Sequence, residues 1–308
     1  MEKIILKISK NLKSKFYFDY DISKNVWFRA GGNVAIFCLV YDENELRFIL
    51  KNIDGIPYEI IGAGSNILVR DKGFYGIIFK LGKSFNKIVL HENFIQVGAG
   101  ILDINLSKFA VMNSIKNLEF FSGIPGSIGG AVKMNAGCYG FETNDVLQNI
   151  ETINSKGDLS FLNKDKLKLS YRNSHLPNKN IIISANFDYS LGDKDEIIKK
   201  INQIKIMREN SQPIKAKTSG STFKNPKKNF AAKLIEKAEC KGLNVGDIFV
   251  SSKHANFLIN SNKGTASQIE ELGKIIIDKV YKKFNIKLEL EVKLLGFPDS
   301  LINKIYDA

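Results

Sequence analysis

The apolar positions of the chain change period several times, and each change predicts an element. Residues 34–40 form a continuous apolar run, as in a strand buried on both faces. Over 43–53, Leu46, Ile49, Leu50 and Ile53 recur at helical spacing, which predicts an amphipathic helix. Ile60-Ile61 and Ile67-Leu68-Val69 predict short strands on either side of Gly62-Ala63-Gly64-Ser65-Asn66. Strand-like clusters fill 76–97. From 101 to 113 the period is helical, with Leu102, Leu106, Phe109 and Ala110 on one face. Short strands return over 150–190. A helix over 193–208, marked by Ile197, Ile201 and Ile204, is expected to separate the front of the molecule from the back.

The back third has its own pattern. Ala231, Leu234, Ile235 and Ala238 predict one helix. Thr265-Ala266-Ser267-Gln268 has the form of a capping box, and Ile269, Leu272, Ile276 and Val280 continue a helix from it. Residues 286–294 alternate strictly, with Ile286, Leu288, Leu290, Val292 and Leu294 on one side and Lys287, Glu289, Glu291 and Lys293 on the other. That predicts a half-buried strand. The strand–helix–strand–loop unit over 34–69 reads as a small α+β subdomain.

With 308 residues the chain is long enough for two or three packed units. A formal charge of +13 points to an anionic partner, either nucleic acid or a small molecule steered into a basic cleft. The lysines are scattered, and the only arginines are Arg29, Arg47, Arg70, Arg172 and Arg208. Nucleic-acid sites concentrate Arg with stacking aromatics, so the small anion is the better reading. Cys38, Cys138 and Cys240 show no CxxC spacing, and His91, His175 and His254 form no helical ligand pair. Neither a disulfide framework nor a metal site is expected, and a reducing compartment is. No apolar run approaches the ~18 residues of a membrane span, so the expectation is a cytoplasmic protein.

The densest chemical signal is Ser122–Gly140, S-G-I-P-G-S-I-G-G-A-V-K-M-N-A-G-C-Y-G. Such a loop either cradles an anion on its N–H groups or is a compact turn-rich connector. The second glycine loop, at 62–66, favours a long phosphate-bearing ligand held at two places. It is no dinucleotide fingerprint, because the third glycine is missing and a strand follows where a helix should. Gly76–Ser84 has five residues between its glycines where a P-loop has four, and reads as a strand ending in a turn. Ser219-Gly220-Ser221-Thr222-Phe223-Lys224-Asn225-Pro226 is either a Ser/Thr turn or a cluster of hydroxyls, a cation and an amide with chemistry to do. Arg172, in Tyr171-Arg172-Asn173-Ser174, reads by itself as a surface or salt-bridge residue, and Glu291 as part of a solvated face. No Ser-His-Asp or Cys-His hydrolase signature is present.

Taken in order, the 62–66 loop, Ser122–Gly140, Tyr171–Ser174, Gly220–Pro226 and Glu291-Val292-Lys293-Leu294-Leu295-Gly296 resemble the UDP-N-acetylenolpyruvoylglucosamine reductases. The likeness runs from about Phe28 to Gly296. It implies a vanillyl-alcohol-oxidase-type FAD-binding domain of two subdomains, 1–80 and 81–204, with 296–308 returning to the first. A C-terminal α+β substrate-binding domain over 205–295 would complete it. By the same resemblance, non-covalent FAD would be held by Gly62, Ala63, Gly64, Ser65, Asn66 and Ile67 from the first loop. The second would contribute Gly123, Pro125, Gly126, Ser127, Gly129, Gly130, Asn135, Ala136 and Gly137. NADPH is the implied co-substrate, and a UDP-sugar enolpyruvyl ether the implied substrate. Ser221 would protonate a substrate carbon, with Arg172 and Glu291 flanking the carboxylate. Lys224, Asn225, Lys241, His254 and Lys293 would meet the rest of the substrate, Lys293 where many relatives have Arg. Arg172 and Ser221 are 49 positions apart, which places the chain with the short, second type that lacks a tyrosine-bearing loop. No metal, no nucleic acid and no membrane are implied, and a monomer is expected.

Overall fold

The computed structural model describes residues 1–177 and 179–296. It divides into two compact units. One comprises Met1–Tyr17, Ile36–Ala63 and Gly76–Arg208; the other comprises Phe18–Ala35, Gly64–Tyr75 and Glu209–Ala308. The chain passes from one to the other within strands Lys15–Asp21, Asn33–Val40 and Phe74–Leu81. In that order these form a four-stranded sheet, completed by Tyr58–Ile61 lying parallel to Phe74–Leu81. The last passage falls in the final turn of the helix Lys194–Ser211.

In the first unit, the helix Glu43–Asn52 starts where the Asp42 carboxylate accepts from the Glu45 N–H, and it buries Leu46, Ile49 and Leu50. A five-stranded antiparallel sheet follows, ordered Leu159–Asn163, Leu147–Ile153, Ile181–Phe187, Ile95–Gly98 and Ile88–Leu90. Every residue of its central strand Ile181–Phe187 is buried. A strand covered on both faces has no reason to alternate. In the helix Asp103–Met112 the expected face holds at Leu106, Phe109 and Ala110 and fails at Leu102. Its buried residues are Asp103, Leu106, Ser107 and Ala110, whereas Leu102 is 43% exposed. Leu102 is the extended residue before the first turn and bridges to Ser127, so the helical face begins one position later.

The second unit packs Phe28, Ala30 and Leu68 against Phe223, Ile235, Val250, Leu272 and Ile276. Its long helix Ala266–Phe284 is opened by the expected capping box between Thr265 and Gln268. The Asp71 carboxylate reinforces that end, accepting from the N–H groups of Ala266 and Ser267 at 2.9 and 2.8 Å. Residues 286–294 keep their alternation of buried and exposed side chains but are not one strand. Leu290 makes an isolated bridge to Phe223, and only Lys293–Leu295 is regular, lying parallel to Ile67–Val69. A periodic pattern fixes which side faces the core, and it does not supply a continuous neighbour for pairing. The proposed return of 296–308 lies outside the described residues except for Gly296, whose carbonyl accepts from the Arg70 guanidinium at 3.1 Å.

Arg70 is central to this unit. Its Nε donates to both carboxylate oxygens of Glu270 at 3.1 Å, and the two side chains are only 14% and 3% exposed. Removing one partner of so buried a pair is far costlier than losing a surface ion pair. Arg70→Ala is expected to lower folding stability by about 3 kcal/mol in urea unfolding. A loss below about 1 kcal/mol would show the pair to be dispensable.

Candidate active site

Gly62, which opens the first glycine loop, meets the second loop inside the first unit. A Cβ placed on Gly62 would collide with the Ser127 hydroxyl, so only glycine lets the first loop lie on the second. A Cβ on Gly126 would stand 2.6 Å from Asp103 Oδ2. The second loop is pinned by Asp103 N–H to Gly126 C=O, Ile128 N–H to Ile101 C=O and Gly129 N–H to Ala99 C=O. Pro125, Gly126 and Gly129 are half-buried, Gly130 is exposed, and Gly123 and Ser127 are buried. The Ser122 hydroxyl is buried with no hydrogen-bond partner among the described residues. Bare main chain and hydroxyls, with no side chain projecting from Gly62, suit a diphosphate, so the residues fit the group that the resemblance implies.

Asn135 and Arg172 also come together in this unit. The buried Asn135 donates from Nδ2 to the Ser170 carbonyl at 3.3 Å, and its Oδ1 accepts from the Asn144 N–H at 2.9 Å. Ala136 and Thr143 clamp the same stretch through Thr143 N–H and Oγ1, both donating to the Ala136 carbonyl. Ser170 and Asn173 exchange both main-chain hydrogen bonds, leaving Tyr171 and Arg172 at the tip of a tight turn. The Arg172 guanidinium lies 5.0 Å from the centre of the Tyr171 ring. Cys138, beside Gly137, donates from Sγ to the Phe120 carbonyl at 3.1 Å. Burial pushes its thiol up to about 12, against the opposing fields of Arg208 and Arg172.

In the second unit, the chain after Ser221 pairs antiparallel with the chain around Glu291, and Thr222 is the residue opposite Glu291. The Glu291 N–H donates to the Thr222 carbonyl at 2.8 Å, and Lys224 N–H to the Glu289 carbonyl at 2.9 Å. Ser221 is held from its other side by a bridge to Phe257. Asn256 splints this strand, its Oδ1 accepting from Phe223 N–H and its Nδ2 donating to Phe223 C=O. Asn66 Nδ2 donates to the Glu291 carbonyl, and the Lys293 N–H donates back to the Asn66 carbonyl, both at 3.1 Å. Gly64, with φ of 73°, packs against the Asn25 carbonyl, and Ser65 and Ile67 are half-buried beside it in sequence. Lys224 pairs with Glu289 at 3.3 Å and Lys241 with Glu236 at 2.6 Å. Asn225 Oδ1 caps the helix Ala231–Lys237 by accepting from Ala231 N–H. His254 accepts at Nδ1 from Asn256 N–H, and burial pulls its pKa below the ordinary imidazole value.

Sequence reasoning missed Asp103 and Asn256. Asp103 is wholly buried with neither oxygen hydrogen-bonded among the described residues, and burial holds its carboxyl well above the usual range. Its only sequence signal was a helical face whose first member stands one position after Leu102. Asn256 gave no signal, since a lone Asn in a polar stretch reads as a loop residue.

Two family matches cover most of the chain: "FAD binding domain" over residues 34–163, and "UDP-N-acetylenolpyruvoylglucosamine reductase, C-terminal domain" over 212–295. The first contains both glycine loops and the second contains Ser221 and Glu291. UDP-N-acetylenolpyruvoylglucosamine reductase of Rickettsia conorii is 40% identical over 286 residues, covering 92% of this chain and 97% of that one. The Rickettsia typhi protein of the same name is 40% identical over 287 residues with the same coverage. The crystal structure of the Thermus caldophilus reductase matches with a TM-score of 0.81 and 30% identity, over 92% of this chain and all of that one.

The contact between the loops sets a measurable expectation. Gly62→Ala should weaken FAD binding about tenfold or more in a fluorescence titration of the apoprotein, because the methyl group displaces Ser127. Unchanged affinity would mean that the close approach of the loops has no part in holding the cofactor.

Proposed function

The chain belongs to the UDP-N-acetylenolpyruvoylglucosamine reductase family of FAD-dependent oxidoreductases in peptidoglycan synthesis, and from that membership we propose its reaction in detail. The substrate is the enolpyruvyl ether of a UDP-amino sugar, and NADPH is the reductant. FAD, held by the two glycine loops, would supply the two-electron chemistry that links NADPH to the vinyl carbon. The remaining work falls to the protein's own side chains. We keep 1–80 and 81–204 as the two cofactor subdomains and 205–295 as the substrate part.

Ser221 is assigned the proton donation. Its hydroxyl is half-buried and makes no hydrogen bond among the described residues, so its proton is available. A hydroxyl is a weak acid, and it serves only against a strongly basic carbon, which the carbon next to the reduced vinyl position becomes. Glu291 is assigned to the developing enolate, to which a protonated carboxyl donates a hydrogen bond. Arg172 is assigned to the carboxylate, whose two oxygens match the planar guanidinium. The observation that supports this reading is the pairing of Glu291 with Thr222, which brings Glu291 beside the segment that begins at Ser221.

The cofactor is assigned as non-covalent. The buried Cys138 thiol holds too little thiolate at neutral pH to attack a flavin. Lys224, Lys241, His254 and Lys293 are assigned to the substrate nucleotide. A monomer with no nucleic-acid partner and a cytoplasmic location complete the proposal. Among the described residues, no helix is long and apolar enough to cross a membrane.

Two measurements test it. Purified protein should be yellow, bleach with NADPH in anaerobic conditions and recover on addition of the enolpyruvyl sugar nucleotide, releasing intact FAD in acid; a colourless protein that takes up no FAD would sink the proposal. Ser221→Ala should leave bleaching intact and slow the recovery by about 10²–10⁴-fold. Equal losses in both halves would contradict the assigned role.

A further inference from the structure

The turn that carries Arg172 is unfavourable in isolation. Ser170 and Asn173 close it with two main-chain hydrogen bonds of 2.9 and 3.0 Å, and Arg172 occupies its third position with φ of 57°. A four-residue turn with positive φ at that position ordinarily carries Gly or Asn. An Arg held there costs on the order of 1 kcal/mol or more, and such strain persists only where neighbouring contacts over-determine the conformation. His175, also at positive φ with 49°, lies on the same short segment. The turn therefore needs anchors.

The structure supplies them. On the exposed side, Ser170 Oγ and His175 Nε2 are 3.0 Å apart, and Asn173 Oδ1 accepts from His175 N–H at 2.8 Å. On the buried side there is one side-chain anchor to the first residue of the turn, Asn135 Nδ2 to the Ser170 carbonyl. Asn135 is itself fixed, 1% exposed, with φ of 41° and its Oδ1 engaged by Asn144 N–H. The amide is thus oriented at its acceptor end and used at its donor end.

We propose that Asn135 is a positioning residue for the reaction, fixing the Arg172 turn to the second glycine loop so that the guanidinium is set before the substrate carboxylate arrives. Asn135 thereby acts through Arg172, where the sequence resemblance had placed it on the cofactor. The inference rests on the carboxylate role proposed for Arg172. An asparagine suits the task because it carries one acceptor and one donor on a short, rigid stem. It also tolerates the left-handed backbone that the glycine loop imposes there.

Asn135→Asp separates this role from a structural one, because it keeps the size and the acceptor for Asn144 and turns the donor to Ser170 into an oxygen that opposes the Ser170 carbonyl. The expected result is an FAD Kd and a rate of bleaching by NADPH within about threefold of wild type, and re-oxidation by the enolpyruvyl substrate slowed roughly tenfold or more. Arg172→Ala and the double variant complete a cycle, in which Asn135→Asp should add nothing once Arg172 is gone. Full additivity, or equal losses in both halves and in FAD affinity, would overturn the proposal. Fast re-oxidation in Arg172→Ala would instead defeat the assigned role of Arg172. Should Asn135→Asp not fold, His175→Ala on the exposed side of the turn should slow re-oxidation about two- to fivefold and leave bleaching unchanged. Re-oxidation unaffected in that variant would overturn the proposal as well.

Discussion

Most of what this chain offers for chemistry depends on the parallel pairing of Ile67–Val69 with Lys293–Leu295. It joins segments more than two hundred positions apart, so it forms only after a long loop has closed, and local preference contributes little to it. The pairing is reinforced around its rim. Asn66 and Lys293 exchange bonds at one end, and Arg70 takes the Leu295 and Gly296 carbonyls at the other. Arg70 in turn holds Glu270 on the long helix, and Asp71 caps that helix. Five consecutive residues after the first glycine loop, Ile67 to Asp71, thus register the last extended segment, and with it Glu291, inside the second unit.

Irregular chain is the expense of building sites from loops, since its main-chain polar groups have no ladder to join. This protein meets that need largely with asparagine. Asn256 satisfies both polar groups of Phe223, next to Ser221. Asn260 donates to the Phe28 and Gly264 carbonyls and accepts from Gly264 N–H. Asn66 serves Glu291, and Asn135 serves Ser170. One amide offers a donor and an acceptor on separate atoms at nearly equal reach, whereas a hydroxyl does both from a single atom and an ionised carboxylate only accepts. Three of these four residues are almost fully buried. Asn256, Asn66 and Asn135 bond chain next to Ser221, at Glu291 and next to the Arg172 turn, and Asn260 ties Phe28 to Gly264.

The parts of this arrangement legible in the sequence are those governed by periodicity or by glycine. Helical spacing located 43–53 and the capping box at Thr265, because side-chain period and capping are local physics. Glycine density located both loops, because their approach requires a missing Cβ at Gly62. What periodicity could not give was where a face begins and which chain lies beside it. The helix Asp103–Met112 was expected to bury Leu102, which stands before its first turn, and the expected strand over 286–294 changes neighbour along its length, with residues 289–291 beside 222–224 and Lys293–Leu295 beside Ile67–Val69. The asparagine splints were illegible for the same reason: their function is defined by a carbonyl far away in sequence.

The basic character of the chain also takes on a narrower meaning. Lys224 and Lys241 do not stand as bare positive charge, because each faces a carboxylate, Glu289 and Glu236. His254, with its pKa lowered by burial and by Lys241, is neutral at neutral pH and offers a hydrogen bond in place of a charge. Solvent-exposed pairs of this kind are worth at most about 1 kcal/mol each, so an incoming diphosphate displaces the carboxylates at little cost. A ligand carrying several negative charges close together competes well for both lysines, whereas a single carboxylate meets the same partners the protein already supplies. Were Lys224 and Lys241 to meet the substrate nucleotide as proposed, selectivity for a polyanion would arise from lysines held in weak pairs, and the net charge of the whole chain would say less about the ligand than these two local exchanges.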